Sequence, residues 1–177
     1  MIVLFLGPMF AGKSSSLLAY ERRLQIAKKQ YLVINHSFDK RYDTEGKITT
    51  HDGNKATKGI SVSKIGEISD EEIQTYDAII VDECQFFDDL PDCAERWSNR
   101  GQLVVCAGLS GDYRREPFVN MSRLVAKADK IVHLTATCER CGEDAPFTKR
   151  NSNESEVNVV GGIDKYVPRC HKCFTLA

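Results

Sequence analysis

Short runs of consecutive apolar residues alternate along most of the chain with stretches in which apolar positions recur every three or four. Residues 2–6, 31–35, 78–81, 102–107 and 130–134 are of the first kind, and runs of this length mark strands buried on both faces of a parallel sheet. Residues 14–29 place Leu17, Tyr20, Leu24 and Ala27 at helical spacing, and helices are also expected over 90–99 and 118–127. Ser69-Asp70-Glu71-Glu72 has the form of a capping box, with Ser69 as the cap and Glu72 reaching back, so a short helix should run to about residue 75. Asp89 is expected to cap the 90–99 helix and Gly101 to close it. Residues 61–63 read as a short strand. The polar stretch 36–59 interrupts the alternation, and a loop this long inside a compact domain is usually functional or disordered. Strands and helices alternating in this way predict an α/β fold, a mostly parallel sheet flanked by helices.

The junction between the first strand and the first helix holds Gly7, Pro8, Met9, Phe10, Ala11, Gly12, Lys13 and Ser14, which fit the phosphate-binding pattern G-x-x-x-x-G-K-[ST]. Gly7 and Gly12 let the backbone turn tightly and bring its N–H groups to phosphate oxygens, while the helix N-terminus adds donors and partial positive charge. Lys13 is expected to reach the β and γ phosphates of ATP, and Ser14 to join the coordination shell of Mg²⁺. The run 78–81 ends in Asp82-Glu83, where a central strand delivers acids at its C-terminal end. Asp82 is the expected Mg²⁺ ligand beside Ser14. Glu83 points to the opposite side if strand geometry persists, which suits a base for an acceptor hydroxyl. By themselves these acids fit a kinase or an ATPase that positions water. The fold expected is of the P-loop NTPase type over residues 1–134.

From residue 135 helical periodicity disappears and polar turn residues dominate. Cys138 and Cys141 form one C-x-x-C pair and Cys170 and Cys173 another, separated by the 28 residues 142–169. Two such pairs predict a closed tetrahedral thiolate site for a structural Zn²⁺, in a small C-terminal domain over residues 135–177. His171, inside the second pair, reads as an exposed polar residue. Cys106 lies in an apolar run and is expected to be a buried small hydrophobe; Cys84 and Cys93 carry no assigned role.

The 177 residues are 42% hydrophobic and 28% charged, which suits one sizeable core with a small appendage. A formal net charge of -1 gives no basic field for non-specific nucleic-acid binding, so a polynucleotide partner is not expected. No apolar run approaches the roughly 20 residues that span a membrane, and no secretory signal is visible. A cytoplasmic location without a membrane partner is therefore the expectation.

Several stretches taken together resemble the type II thymidine kinases: the phosphate loop, Asp82-Glu83-Cys84-Gln85-Phe86-Phe87, Arg115-Glu116-Pro117-Phe118, Thr148-Lys149-Arg150 and Gly161-Gly162-Ile163-Asp164-Lys165-Tyr166. The resemblance covers essentially the whole chain. It implies transfer of the γ-phosphate of ATP to the 5′-hydroxyl of thymidine, with deoxyuridine as a further acceptor, in a homotetrameric salvage enzyme with a structural zinc. It further implies that Glu83 is the general base and that Asp82 and Gln85 belong to the nucleotide and metal site. Asp39 and Arg41 match phosphate-facing positions. Met9, Phe86, Leu109, Tyr113 and Thr148 match positions at the nucleoside. Val157, Asn158, Val159, Val160 and Gly161, with Tyr166, match a lasso that closes over it. Ser110 stands where the family commonly has Asp, and Cys84 where Gly is usual. The rival expectation is a P-loop ATPase module whose zinc ribbon docks protein or nucleic acid, which no basic patch favours.

Overall fold

Residues Ile2–Gly7 (β1), Tyr31–His36 (β2), Gly59–Val62 (β3), Ala78–Val81 (β4), Leu103–Leu109 (β5) and Lys130–His133 (β6) form one sheet in the order β3-β2-β4-β5-β1-β6. Each neighbouring pair is parallel. The structure is a computed structural model that describes residues 1–37, 59–151 and 165–176. With all six strands pointing one way, the C-terminal ends of β1, β4 and β5 share an edge, the usual place for a ligand in an open α/β sheet.

Side chains alternate across this sheet with the period of two that extended backbone imposes. Ile2, Leu4, Leu32, Ile34, Ile79, Val81, Val104 and Cys106 face the helices Leu90–Asn99 (α3) and Val119–Lys127 (α4), meeting Leu90, Ala94, Trp97, Met121 and Leu124. Val3, Phe5, Val33, Ala78, Ile80, Val105 and Ala107 face the other way, against Leu17, Leu18 and Leu24 of helix Lys13–Ile26 (α1). Burial of each large apolar side chain contributes about 1.5–3 kcal/mol, so both layers are needed to hold the central strands in place.

Element boundaries differ from the sequence pattern in instructive ways. Helix α1 ends at Ile26, short of residue 29, because Lys28 takes a left-handed conformation (φ 53°) and its N–H closes on the Gln25 carbonyl. Ala27 thus caps the helix and does not extend its buried stripe, which is Leu17, Leu18, Glu21 and Leu24. Ser69 accepts the N–H of Glu72 at 3.2 Å at the start of helix Asp70–Ile73 (α2), as its position suggested. Asp89 stands at the N-cap position of α3 as expected, but its side chain makes no capping hydrogen bond. Its carboxylate instead accepts the N–H groups of Ile65 (3.4 Å) and Gly66 (2.9 Å), tying a 3-10 turn to the helix start. Strand β5 runs two residues further than expected, so Gly108 and Leu109 belong to the sheet.

The C-terminal part contains the strands Ala136–Thr137 (β7), Asp144–Ala145 (β8), Phe147–Arg150 (β9) and Tyr166–Arg169 (β10), and the short helix His171–Thr175 (α5). β7 pairs with β8 and β9 with β10, both antiparallel. Its apolar centre is small: Ala136, Cys138, Ala145 and Cys173 are buried, with Cys170 and the phosphate-loop residues Phe10 and Ala11 packed against them. A core of that size needs further support, which a metal or a neighbouring surface supplies. Among the described residues, no helix is long and apolar enough to cross a membrane.

Candidate active site

The loop from Gly7 to Ser14 joins β1 to the N-terminus of α1, as the pattern required. Its curvature uses left-handed backbone at Phe10 (φ 66°) and Gly12 (φ 77°). Gly7 has no room for a side chain, since a Cβ there would sit 2.6 Å from the Leu134 carbonyl oxygen. Lys13 is buried, and its Nζ donates to the Pro8 carbonyl at 2.7 Å, holding the ammonium over its own loop. Ser14 Oγ donates to Asp82 Oδ2 at 2.9 Å. A hydroxyl and a carboxylate in that contact, beside a loop of backbone donors, fit the first ligands of a Mg²⁺ carrying nucleotide phosphates.

Asp82 is almost wholly buried, and its second oxygen, Oδ1, accepts the N–H of Glu83 at 2.8 Å. Strand geometry does not persist to Glu83. β4 ends at Val81, and Glu83 takes a left-handed conformation (φ 51°, ψ 44°) that starts a 3-10 turn over Cys84–Phe86. The turn, and not strand alternation, separates the two carboxylates. Gln85 is buried in it. Its Nε2 donates to Glu83 Oε2 at 2.5 Å, and its Oε1 accepts the N–H of Leu109 at 3.1 Å. Cys84, at the same turn, is an inert filler. Its thiol donates to the Val81 carbonyl at 3.3 Å, and burial, with the Cys106 thiol next to it, pushes its pKa well above the ordinary value. Cys106 is fully buried, as expected.

Around this edge stand the residues matched to the nucleoside. Half-buried Phe86 lies with its ring centroid 5.3 Å from that of His36, and the His36 ring packs edge-on to Phe87 at 4.8 Å. Leu109 ends β5, and Tyr113 follows in the turn-rich segment. The Arg150 guanidinium lies 3.8 Å from the centroid of the Tyr113 ring and donates to the Tyr166 hydroxyl at 2.8 Å. Thr148 Oγ1 accepts the N–H of Met9 at 2.9 Å, so β9 touches the phosphate loop directly. Arg115, also left-handed (φ 70°), places its guanidinium over the rings of Phe174 (4.8 Å) and Phe147 (5.4 Å).

The sulfurs of Cys138, Cys141, Cys170 and Cys173 all lie within 4.8 Å of one another, with Cys141 and Cys170 at 3.6 Å. A tetrahedral zinc with Zn–S bonds near 2.3 Å separates its ligands by about 3.8 Å, so the four thiols fit that ion. Burial opposes ionisation of Cys138, but backbone N–H groups of Cys170, Arg140 and Cys141 outweigh it and bring its pKa down to about 6. Burial and then the neighbouring thiols push Cys173 up to about 12.

The thymidine kinase family model matches residues 1–174. The thymidine kinase of Monkeypox virus is 39% identical over 173 residues, covering 98% of this chain and 96% of that protein, and that of Vaccinia virus (strain Ankara) gives the same figures. The chain belongs to the thymidine kinase family. Among solved structures, the Legionella pneumophila ATPase DotB aligns with a TM-score of 0.43 at 13% identity, over 81% of this chain and 43% of that one.

Of the residues that resemblance to this family singled out, Asp39, Arg41, Val157, Asn158, Val159, Val160 and Gly161 lie outside the described residues. Three that pattern reading gave no role stand beside the others. His36, by its polarity part of the stretch 36–59, is the last residue of β2 and buried. Arg150 belongs to the Thr148-Lys149-Arg150 stretch, which gives it no task of its own. Asn120, buried in α4, donates from Nδ2 to the carbonyls of Cys84 and Phe87, each at 3.0 Å, and so fixes the turn that carries Gln85. For Asn120 the signal was a polar residue at a position facing the core.

Proposed function

We propose that this protein is a thymidine kinase that transfers the γ-phosphoryl group of ATP to the 5′-hydroxyl of thymidine, and also of deoxyuridine, in nucleotide salvage. Family membership supports the reaction. The observation that carries its assignment to particular residues is the Ser14–Asp82 contact at the phosphate loop with Glu83 one residue further on.

In this reading the backbone donors of the loop and Lys13 cradle the phosphates of ATP, and Gly12 gives them access. Ser14 and Asp82 would hold Mg²⁺, which when bound spreads the charge of the β and γ phosphates. Glu83 accepts the proton of the 5′-hydroxyl as that oxygen attacks. Met9, Phe86, Leu109, Tyr113, Thr148 and Tyr166 line the nucleoside pocket, and the lasso at Val157, Asn158, Val159, Val160 and Gly161 closes it. Asp39 and Arg41 face the phosphates, where Arg41 offsets charge on the transferring group. The four cysteines hold a structural Zn²⁺ in a lid domain over residues 135–177, set against the ATP-binding domain 1–134. The working form is a cytoplasmic homotetramer with no nucleic-acid partner.

The test is formation of ADP and of the nucleoside monophosphate from ATP and Mg²⁺, with thymidine, deoxyuridine, deoxycytidine or no nucleoside added. Turnover that depends on thymidine or deoxyuridine is the expected result. ADP release at the same rate without any nucleoside would replace the kinase with an ATPase.

A further inference from the structure

We propose that Gln85 is a positioning residue for Glu83: its side-chain amide, locked in one orientation by the Leu109 N–H, fixes where the Glu83 carboxylate points. The inference rests on the kinase reading above for what Glu83 does, but not for how it is held. Resemblance to the family assigns Gln85 to the nucleotide and metal site, and the geometry points elsewhere.

A carboxamide has one accepting and one donating end, and a neighbour that can only donate decides which is which. The N–H of Leu109 donates to Oε1 at 3.1 Å, so Nε2 must face the other way, where Glu83 Oε2 receives it at 2.5 Å. Gln85 thereby spans from the end of β5 to the proposed base. Its own backbone cannot drift, because Asn120 of α4 donates to the carbonyls of Cys84 and Phe87 on either side of it. The opposite wall is equally fixed. Gly108 lies so close that a Cβ there would come within 3.1 Å of Gln85 Oε1 and 2.7 Å of Met121 Cε. The amide is thus enclosed between α4 and β5, with 5% of its residue surface exposed.

Glu83 takes left-handed backbone just past the end of β4, at the start of the 3-10 turn that carries Gln85, so the two side chains spring from one short, fixed piece of backbone. A base that must meet one hydroxyl in one direction loses rate when its carboxylate wanders by about an ångström. Leu109, the residue that orients Gln85, also stands at a position matched to the thymine pocket. The same short chain of bonds, Leu109 to Gln85 to Glu83, therefore sets the base in register with a wall of the site. In this view a change at Gln85 alters the chemical step without altering what is bound.

The test replaces Gln85 by Met, which keeps length and removes the donor, and by Glu, which keeps an acceptor for Leu109 but offers no amide to Glu83. For whichever variant retains its unfolding transition, kcat with thymidine should fall by about 10- to 100-fold. The dissociation constants for thymidine and for ATP with Mg²⁺ should stay within about twofold, the split expected of an interaction that matters in the transition state. In a Glu83→Gln background the Gln85 change should cost less than about threefold more, since residues that act as a unit do not add. An independent readout needs neither activity nor a Gln85 variant. In ¹⁵N-labelled protein the Gln85 side-chain amide proton should resonate downfield and move upfield on Glu83→Gln. A loss confined to affinity for ATP with Mg²⁺ would return Gln85 to the nucleotide site, and full additivity with Glu83→Gln, or an amide signal unmoved by it, would equally overturn the proposal. Absence of thymidine-dependent turnover in the unmodified protein would sink the kinase reading instead, while the amide signal would still report on the contact.

Discussion

The hydroxyl of Thr148 in β9 accepts the backbone N–H of Met9 in the phosphate loop at 2.9 Å, which joins the cysteine-bearing part of the chain to the loop expected to hold ATP. Phe10 and Ala11, the next two residues of that loop, pack on the cysteine cluster itself. The two regions therefore support one another, and ligands of either should feel changes in the other.

Thr148→Val keeps the shape of the side chain and removes the acceptor. A partly buried N–H left without its partner costs about 1–3 kcal/mol, so denaturant unfolding should show a loss in that range. Calorimetry should show weaker ATP binding as well. Wild-type values in both measurements would mean that the contact is incidental.

Stripping the cluster with a chelator, or Cys170→Ser, should weaken ATP and thymidine together. If the cluster merely anchored a lid, thymidine alone would be affected. Because Phe10 and Ala11 rest on the cluster, the loop would lose its backing if a metal held by the four cysteines were removed. Titrations of each ligand into metal-free protein separate the two views, and an unaffected ATP constant would favour the lid alone.

Glu83→Gln is nearly isosteric and should leave the fold and ATP binding intact while lowering kcat by about 10²-fold or more, as removal of a positioned base does. Steady-state rates at saturating substrates decide this. Turnover close to that of the parent would take the proton-accepting role away from Glu83.

Asp82→Asn should raise the Mg²⁺ concentration for half-maximal activity by about tenfold or more, since a neutral amide is a poorer ligand than a carboxylate for a hard cation. The asparagine oxygen can keep the Glu83 N–H while its amide donates to Ser14 Oγ, reversing that bond, so the fold should not suffer. An unaltered Mg²⁺ response would place the metal elsewhere.

Arg150→Lys keeps a positive charge and gives up the planar stack on Tyr113 at 3.8 Å. A cation on an aromatic face in a desolvated setting contributes about 0.5–2 kcal/mol, so the thymidine KM should rise by about 2- to 30-fold with the ATP KM little changed. If both constants moved equally, Arg150 would be supporting the whole site and not the nucleoside side.

What the sequence made legible was whatever rests on local pattern. The phosphate loop, the acids after β4, the cysteine pairs and the parallel α/β layout all follow from contiguous or short-range signals, and each is where the pattern put it. The left-handed turn at Glu83 was not legible, because nothing in the run 78–83 marks the point at which the strand stops. Asp89 looked like a helix cap, and its carboxylate was taken by a turn more than twenty residues upstream. Lys28 ended α1 in a conformation that Gly usually supplies. The contacts of Asn120 with the 84–87 turn, and of Thr148 with Met9, join residues far apart in the chain. Long-range partners of polar side chains are set by tertiary packing, to which period and propensity are blind.

The strand order places β1, the earliest of the six sheet strands in sequence, between the two latest, β5 and β6. Ile2 pairs with Val104 and Val3 with Lys130, so the segment that carries the phosphate loop has no neighbour to join until some hundred residues have followed it. Contacts this distant make folding slow, and during synthesis they leave a strongly apolar segment waiting for its place. The loop that would grip a nucleotide therefore precedes both strand partners of β1 by some hundred residues or more, and it acquires its shape only after they have been made.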